Sequence, residues 1–208
     1  DLMGLGWGGL FAASYLPHKR KKIKEQLKRE IKAQLAKAQP AIEKCVEIAA
    51  EAGVSCGQKG LRIDSHQHAH MIPVVWEAVL EVVREEGYSL EYIRNSKEVL
   101  GVFLTETSLY KTYRPVNFVK NRLLSLYSHK ADRFCKENGM RQMYLWGLVM
   151  SGRMDRERIE RLYGKMKRKA EKDGRTLEIL FHPGITLPGE VTPEIAKEAA
   201  EDFYLRED

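Results

Sequence analysis

The chain has little covalent bracing and no long apolar run. Its three cysteines, Cys45, Cys56 and Cys135, form no CxxC pair and cannot all pair within one chain, so reduced thiols in a cytoplasmic protein are the simplest expectation. No apolar run approaches the ~20 residues of a membrane span, and the N-terminus lacks the basic-then-apolar order of a secretory signal. No GxGxxG turn follows a candidate strand and no GxxxxGK[ST] occurs, which removes the best reason to expect a dinucleotide or nucleotide fold.

Charge is only mildly one-sided. Thirty-five basic residues against 29 acidic give a net charge of +6, and much of the excess sits in HKRKKIKEQLKREIK, residues 18–32. A basic stretch can attract phosphates or anionic lipid, but charges repeated around one helix more often form a solvated face. With no aromatic-interleaved basic surface and no nucleic-acid motif, neither nucleic acid nor membrane is expected as a partner. Hydrophobic residues at 43% and charged residues at 31% are an ordinary globular balance. The length suits a single domain over 1–208, or the greater part of a larger one.

Taken in order, residues 1–17 carry Trp7, Phe11 and Tyr15 at four-residue spacing, which suits a short helix or a packed loop, and a substrate lid is one use for it. Ile23, Leu27, Ile31 and Leu35 then mark a narrow apolar stripe on a long charged helix. Pro40 either kinks that helix or starts another, which runs to Gly53. Residues 1–60 therefore read as a helical covering segment ahead of the first strand. Strands are expected at 61–63, 88–94, 143–149 and 177–181. Helices are expected between them at 73–86, 116–135 and 155–174, the last capped by Asp155. Residues 100–115 match no pattern. A final helix should start at Pro193 behind Thr192. Alternating strands and helices argue for an α/β fold with a parallel sheet.

Polar residues gather after each strand, as in barrels and doubly wound sheets alike. The densest group is LRIDSHQHAHMIP, residues 61–73, where Asp64, His66, His68 and His70 crowd together and hold half of the six histidines. Imidazole is a common metal ligand and titrates near neutral pH, so this spacing beside a carboxylate points to metal binding or proton transfer. Arg94 follows the second strand, Ser151 the third, and His182 sits at the tip of the fourth, immediately before Pro183 and Gly184.

IDSHQHAHMIP at 63–73, YIRNSKE at 92–98, YLWGLVMSGRMD at 144–155 and EILFHPG at 178–184 resemble, in that order, the YdjC-like carbohydrate deacetylases. The resemblance implies an incomplete, distorted (β/α) barrel. The family's upstream ADDFG and GLH motifs do not occur, so the N-terminal barrel strands are expected to be absent. It also implies hydrolysis of the N-acetyl group of amino sugars or their oligomers, with a divalent ion, Mg or Zn, as cofactor. Turnover by this chain should be impaired, because one Asp and one His ligand belong to the missing motifs. A homodimer is admitted.

His66 matches the family's metal ligand, and His70 is a further candidate, alongside substrate contact or packing. Asp64 would orient an imidazole, or else cap a helix. His182 is the candidate general acid. Arg94 would bind sugar hydroxyls unless it is a surface ion pair, and Trp146 would stack on a sugar ring unless it belongs to the core. Two other readings stand beside this one: a non-catalytic sugar-binding or interaction protein, and another barrel amidohydrolase.

Overall fold

The long basic segment folds as it does because another helix answers its charge. The computed structural model describes residues 5–54 and 60–181, without the side chains of Thr112 and Val116. Helix α1 is Gly6–Ala13 and α2 is Pro17–Glu51; strand β1 is Gly60–Ile63 and α3 is Pro73–Glu85. Arg20 meets Glu77, Lys24 meets Glu81 at 2.6 Å and Lys28 meets Glu85 at 2.6 Å. The two members of each pair are 57 residues apart, and a constant offset means that α2 and α3 run parallel. Residues 18–32 are therefore only partly a solvated face, since the cations at every fourth position, Arg20, Lys24, Lys28 and Lys32, are matched by the acidic edge of α3. Each such pair contributes little alone. Their shared register fixes the alignment.

Between these charges lies an apolar seam. Ile23 of α2 is buried against Ile72, Val74, Val75, Val79 and Val83, with Leu27 and Ile31 alongside. Burying each such side chain is worth roughly 1.5–3 kcal/mol. Pro40 does not divide α2, which continues through it. The Ser14 hydroxyl accepts from the Val74 amide at 3.3 Å and so satisfies a first-turn donor of α3 that the helix itself leaves open.

Beyond α3 come β2 (Ser89–Ile93), α4 (Leu100–Phe103), a 3-10 turn at Thr107–Thr112 and α5 (Pro115–Glu137). These are followed by β3 (Met143–Trp146), α6 (Arg156–Lys172) and β4 (Thr176–Ile179). Asp155 caps α6, its carboxylate accepting from the Arg158 amide at 3.0 Å, as expected. The final helix expected from Pro193 lies outside the described residues.

Strands β1 and β2 pair in parallel, from Gly60 opposite Ser89 to Ile63 opposite Ile93. Strands β3 and β4 also pair in parallel, from Met143 opposite Thr176 to Trp146 opposite Ile179. The architecture is thus mixed α/β with two short parallel sheets, and among the described residues no barrel closes. No described helix is long and apolar enough to cross a membrane. Cys45 and Cys135 are free thiols.

The described residues divide into two compact units, one within Asp1–Asn95 and Tyr127–Arg141, the other within Ser96–Leu126 and Gln142–Asp208. The first holds β1, β2 and the α2–α3 seam, and in it Trp76 meets Phe134 edge-on at 5.6 Å. The second is centred on Phe103, Trp146, Val149, Met150, Leu162 and Met166.

Candidate functional site

Strand β1 ends at Ile63, whose carbonyl accepts from the Arg94 amide at 2.9 Å. That bond brings Asp64 and Arg94 out of the tips of neighbouring parallel strands, and the Arg94 guanidinium donates to the Asp64 carboxylate. Asp64 and His66 are exposed, and Arg94 is half-buried. A carboxylate, a guanidinium and an imidazole thus gather at the carboxyl end of one strand pair, where α/β folds commonly bind ligands.

After Asp64 the backbone enters a 3-10 turn, His66–Met71. Gln67 and His68 both take left-handed conformations, with φ of 53° and 58°. Two consecutive non-glycine residues in that region store strain, which persists only where the surroundings hold it in place. The neighbours that hold it are Ser65 and His70. Ser65 Oγ accepts from the His70 amide at 2.8 Å and lies 2.7 Å from His70 Nδ1, while His70 Nε2 lies 2.7 Å from the Arg94 carbonyl oxygen.

A carbonyl can only accept, so Nε2 carries the hydrogen and a neutral ring receives the serine hydroxyl at Nδ1. Burial holds His70 below the ordinary imidazole value, opposed by its bond to the Arg94 carbonyl and by the nearby Asp64 charge. His70 is only 1% exposed. Both ring nitrogens are engaged, so it could ligate a metal only by giving up one of these bonds. His68 is half-buried, its ring 6.4 Å from that of His70.

The other sequence candidates fall elsewhere. Trp146 is fully buried in the core of the second unit and shows no exposed face on which a sugar could stack; the strand's apolar pattern had allowed either position. Its indole N–H has no hydrogen-bond partner among the described residues. His182 lies outside the described residues. Among those described, no three His, Cys, Asp or Glu side chains are grouped to hold a metal ion.

Two residues escaped the sequence reading. Ser65 sits in the densest motif, yet only its pairing five residues along reveals a role. Glu98, in the YIRNSKE stretch, is 4% exposed. Its carboxylate accepts from the amides of Gly147 (2.7 Å), Leu148 (3.1 Å) and Val149 (2.8 Å) and from the Asn121 side chain (2.8 Å). Burial pushes its pKa up to about 7, and the four donors pull the other way. The pinned turn closes β3 at Trp146 rather than at residue 149, and Gly147 is required in it. Its φ is +139°, and a Cβ there would lie 2.6 Å from the Leu180 carbonyl oxygen.

A family model described as YdjC-like protein matches residues 50–207. No curated protein and no solved structure matches.

Proposed function

Because the chain belongs to the YdjC-like family, whose members are generally carbohydrate deacetylases, we propose that it acts on N-acetylated amino sugars or their oligomers, hydrolysing the amide to acetate and a free amine. The observation that carries this reading is the pairing of Asp64 with Arg94 at the carboxyl end of the β1–β2 pair, with the exposed His66 two residues further along the chain. Arg94 presents a planar array of donors suited to sugar hydroxyls. Asp64 holds that guanidinium in place and keeps carboxylate capacity for a further donor. As water adds to the acetyl carbonyl and the intermediate collapses, the departing amine needs a proton; His182 is proposed as its source, on the family resemblance.

The family's typical cofactor is a divalent ion, Mg or Zn, and His66 is the proposed ligand, an imidazole favouring the latter. A stable site needs about three protein donors. The described residues offer the exposed imidazole of His66, a carboxylate already engaged by Arg94 and a histidine bonded at both nitrogens, so they do not fit a divalent ion by themselves. Slow turnover is expected from this donor set. An incomplete, distorted (β/α) barrel, a cytoplasmic location and a homodimer belong to the same proposal.

The second reading, a sugar-binding protein without turnover, is favoured by that incomplete donor set. Acetate release from N-acetylglucosamine oligomers, with and without added zinc or magnesium, decides between them. Slow release that His66→Ala abolishes supports the deacetylase. Unchanged release in His66→Ala sinks His66 as a participant. Oligomer binding with no acetate above blank selects the non-catalytic reading.

A further inference from the structure

We propose that His70 is a positioning residue and not a metal ligand: its buried ring clamps the loop after β1 to the tip of β2, and so sets His66 and Arg94 relative to one another. The inference rests on the reading of that strand tip as the functional site.

The geometry has three parts. Ser65 and His70 close the loop on itself through two bonds, the backbone amide of His70 to Ser65 Oγ at 2.8 Å and the serine hydroxyl to Nδ1 at 2.7 Å. The far side of the same ring donates to the Arg94 carbonyl at 2.7 Å. Enclosed within the loop are His66, Gln67 and His68, the latter two with left-handed backbones, so the orientation of the His66 imidazole depends on a conformation the chain would not choose alone. Across the strand pair, the bonded carbonyl belongs to the residue whose guanidinium meets Asp64. One ring therefore ties together the backbone supports of Asp64, His66 and Arg94. Lost rotational freedom is already accounted for in a site held this way, which is what oriented catalytic or binding groups require.

A ligand role makes the opposite demand. Metal binding takes a ring lone pair, and the only one on this neutral ring points at the Ser65 hydroxyl. A metal there would displace the Ser65 hydroxyl from Nδ1 and leave the loop closed by the His70 amide bond alone. The two roles exclude each other for the same ring.

Side-chain chemistry supplies two half-clamps for the test. The asparagine amide sits near the position of Nδ1 and the glutamine amide nitrogen near that of Nε2, so His70→Asn keeps the Ser65 connection while His70→Gln keeps the Arg94 connection. On the 208-residue protein, the Arg94 carbonyl-carbon NMR shift reads one connection and hydrogen exchange of the His70-position amide reads the other. In His70→Asn, the Arg94 carbonyl carbon should move upfield, towards the shift of an unbonded carbonyl, with the His70-position amide still protected; in His70→Gln, the Arg94 carbonyl signal should hold while the position-70 amide exchanges roughly tenfold faster. Equal behaviour of the two variants, or an Arg94 carbonyl signal unmoved in His70→Asn, overturns the clamp.

Ring nitrogen NMR of the unmodified chain gives an arm that no folding defect can obscure. The expected signature is a neutral ring with the hydrogen on Nε2, unchanged when zinc is added. A zinc-induced shift at His70 Nδ1 overturns the proposal in favour of a ligand. Acetate release is followed in parallel, with kcat expected to fall in both variants more than KM rises. If the unmodified chain releases no acetate, the deacetylase reading fails, while exchange and ring signals still decide the clamp.

Discussion

At the carboxyl end of β1 and β2 the chain leaves Asp64 and His66 exposed and Arg94 half-buried, whereas at the carboxyl end of β3 and β4 it buries Trp146 and folds the next turn onto the enclosed carboxylate of Glu98. Both are parallel pairs of short strands joined through a helix. Both tips contain an acid with several possible donors around it. At one, the acid meets a side chain that solvent also reaches; at the other, it meets three backbone amides and an asparagine that solvent does not. A charged residue at a strand tip is therefore not a functional signal by itself. What its partners are, and whether water reaches them, separates a group available to a ligand from one consumed by the fold.

The comparison breaks most readily at Glu98. Glu98→Ala leaves three buried amides and the Asn121 donor without their acceptor, and should cost about 3–5 kcal/mol in urea unfolding. The pH dependence has a definite sign. With its pKa pushed by burial from 4.5 to about 7, the folded protein keeps the Glu98 proton over a range in which the unfolded chain has lost it. The stability present below pH 4.5 therefore declines as pH rises towards 7. Glu98→Gln, which cannot titrate, should flatten that slope. An unaltered slope would mean that burial does not govern this carboxyl.

Much of this was legible in the sequence, and the rest was hidden for physical reasons. The apolar period and the Asp155 cap gave α6, while Pro73 and the valine pattern gave α3, because those signals are local. Grouping Asp64, His66 and Arg94 needed only the rule that polar residues collect behind parallel strands. The 3-10 turn and the short α4 within residues 100–115 matched no period because neither is long enough to show one. Pro40 removes a single donor, and the surrounding helix formers carry α2 past it. Strand β3 stops at Trp146 because of an acid 49 to 51 residues earlier, which no local pattern contains. His70 read as a further ligand, a substrate contact or packing alike until Ser65 and the Arg94 carbonyl were seen on either side of its ring. The expected roles of His182 and Thr192 fall outside the described residues.

Trp146 sharpens the contrast at lower cost. Its ring fills the second unit's core, but its N–H finds no acceptor among the described residues, so Trp146→Phe trades lost volume against removal of an unsatisfied donor. About 1–2 kcal/mol of destabilisation is expected by thermal unfolding, with affinity for N-acetylglucosamine oligomers unchanged. A clear loss of sugar affinity in a folded Trp146→Phe protein would show that the buried tip takes part in binding and would weaken the division between the two tips.

The smallest stability effect should come from the other tip, and that is what makes it informative. Asp64 and Arg94 form an ion pair within reach of water, with the Asp64 side chain 40% accessible, and such pairs contribute less than about 1 kcal/mol. The backbone beneath them has its own supports: the Arg94 amide bonds the Ile63 carbonyl, and the Arg94 carbonyl receives the His70 ring. Asp64→Asn should therefore leave the urea midpoint nearly where it was while releasing the guanidinium from its fixed direction. If this tip is the site, sugar binding and acetate release fall although stability does not, the reverse of the pattern for Trp146→Phe. If Asp64→Asn instead destabilises the chain as much as Glu98→Ala, the exposed acid is structural too, and the difference between the two strand tips disappears.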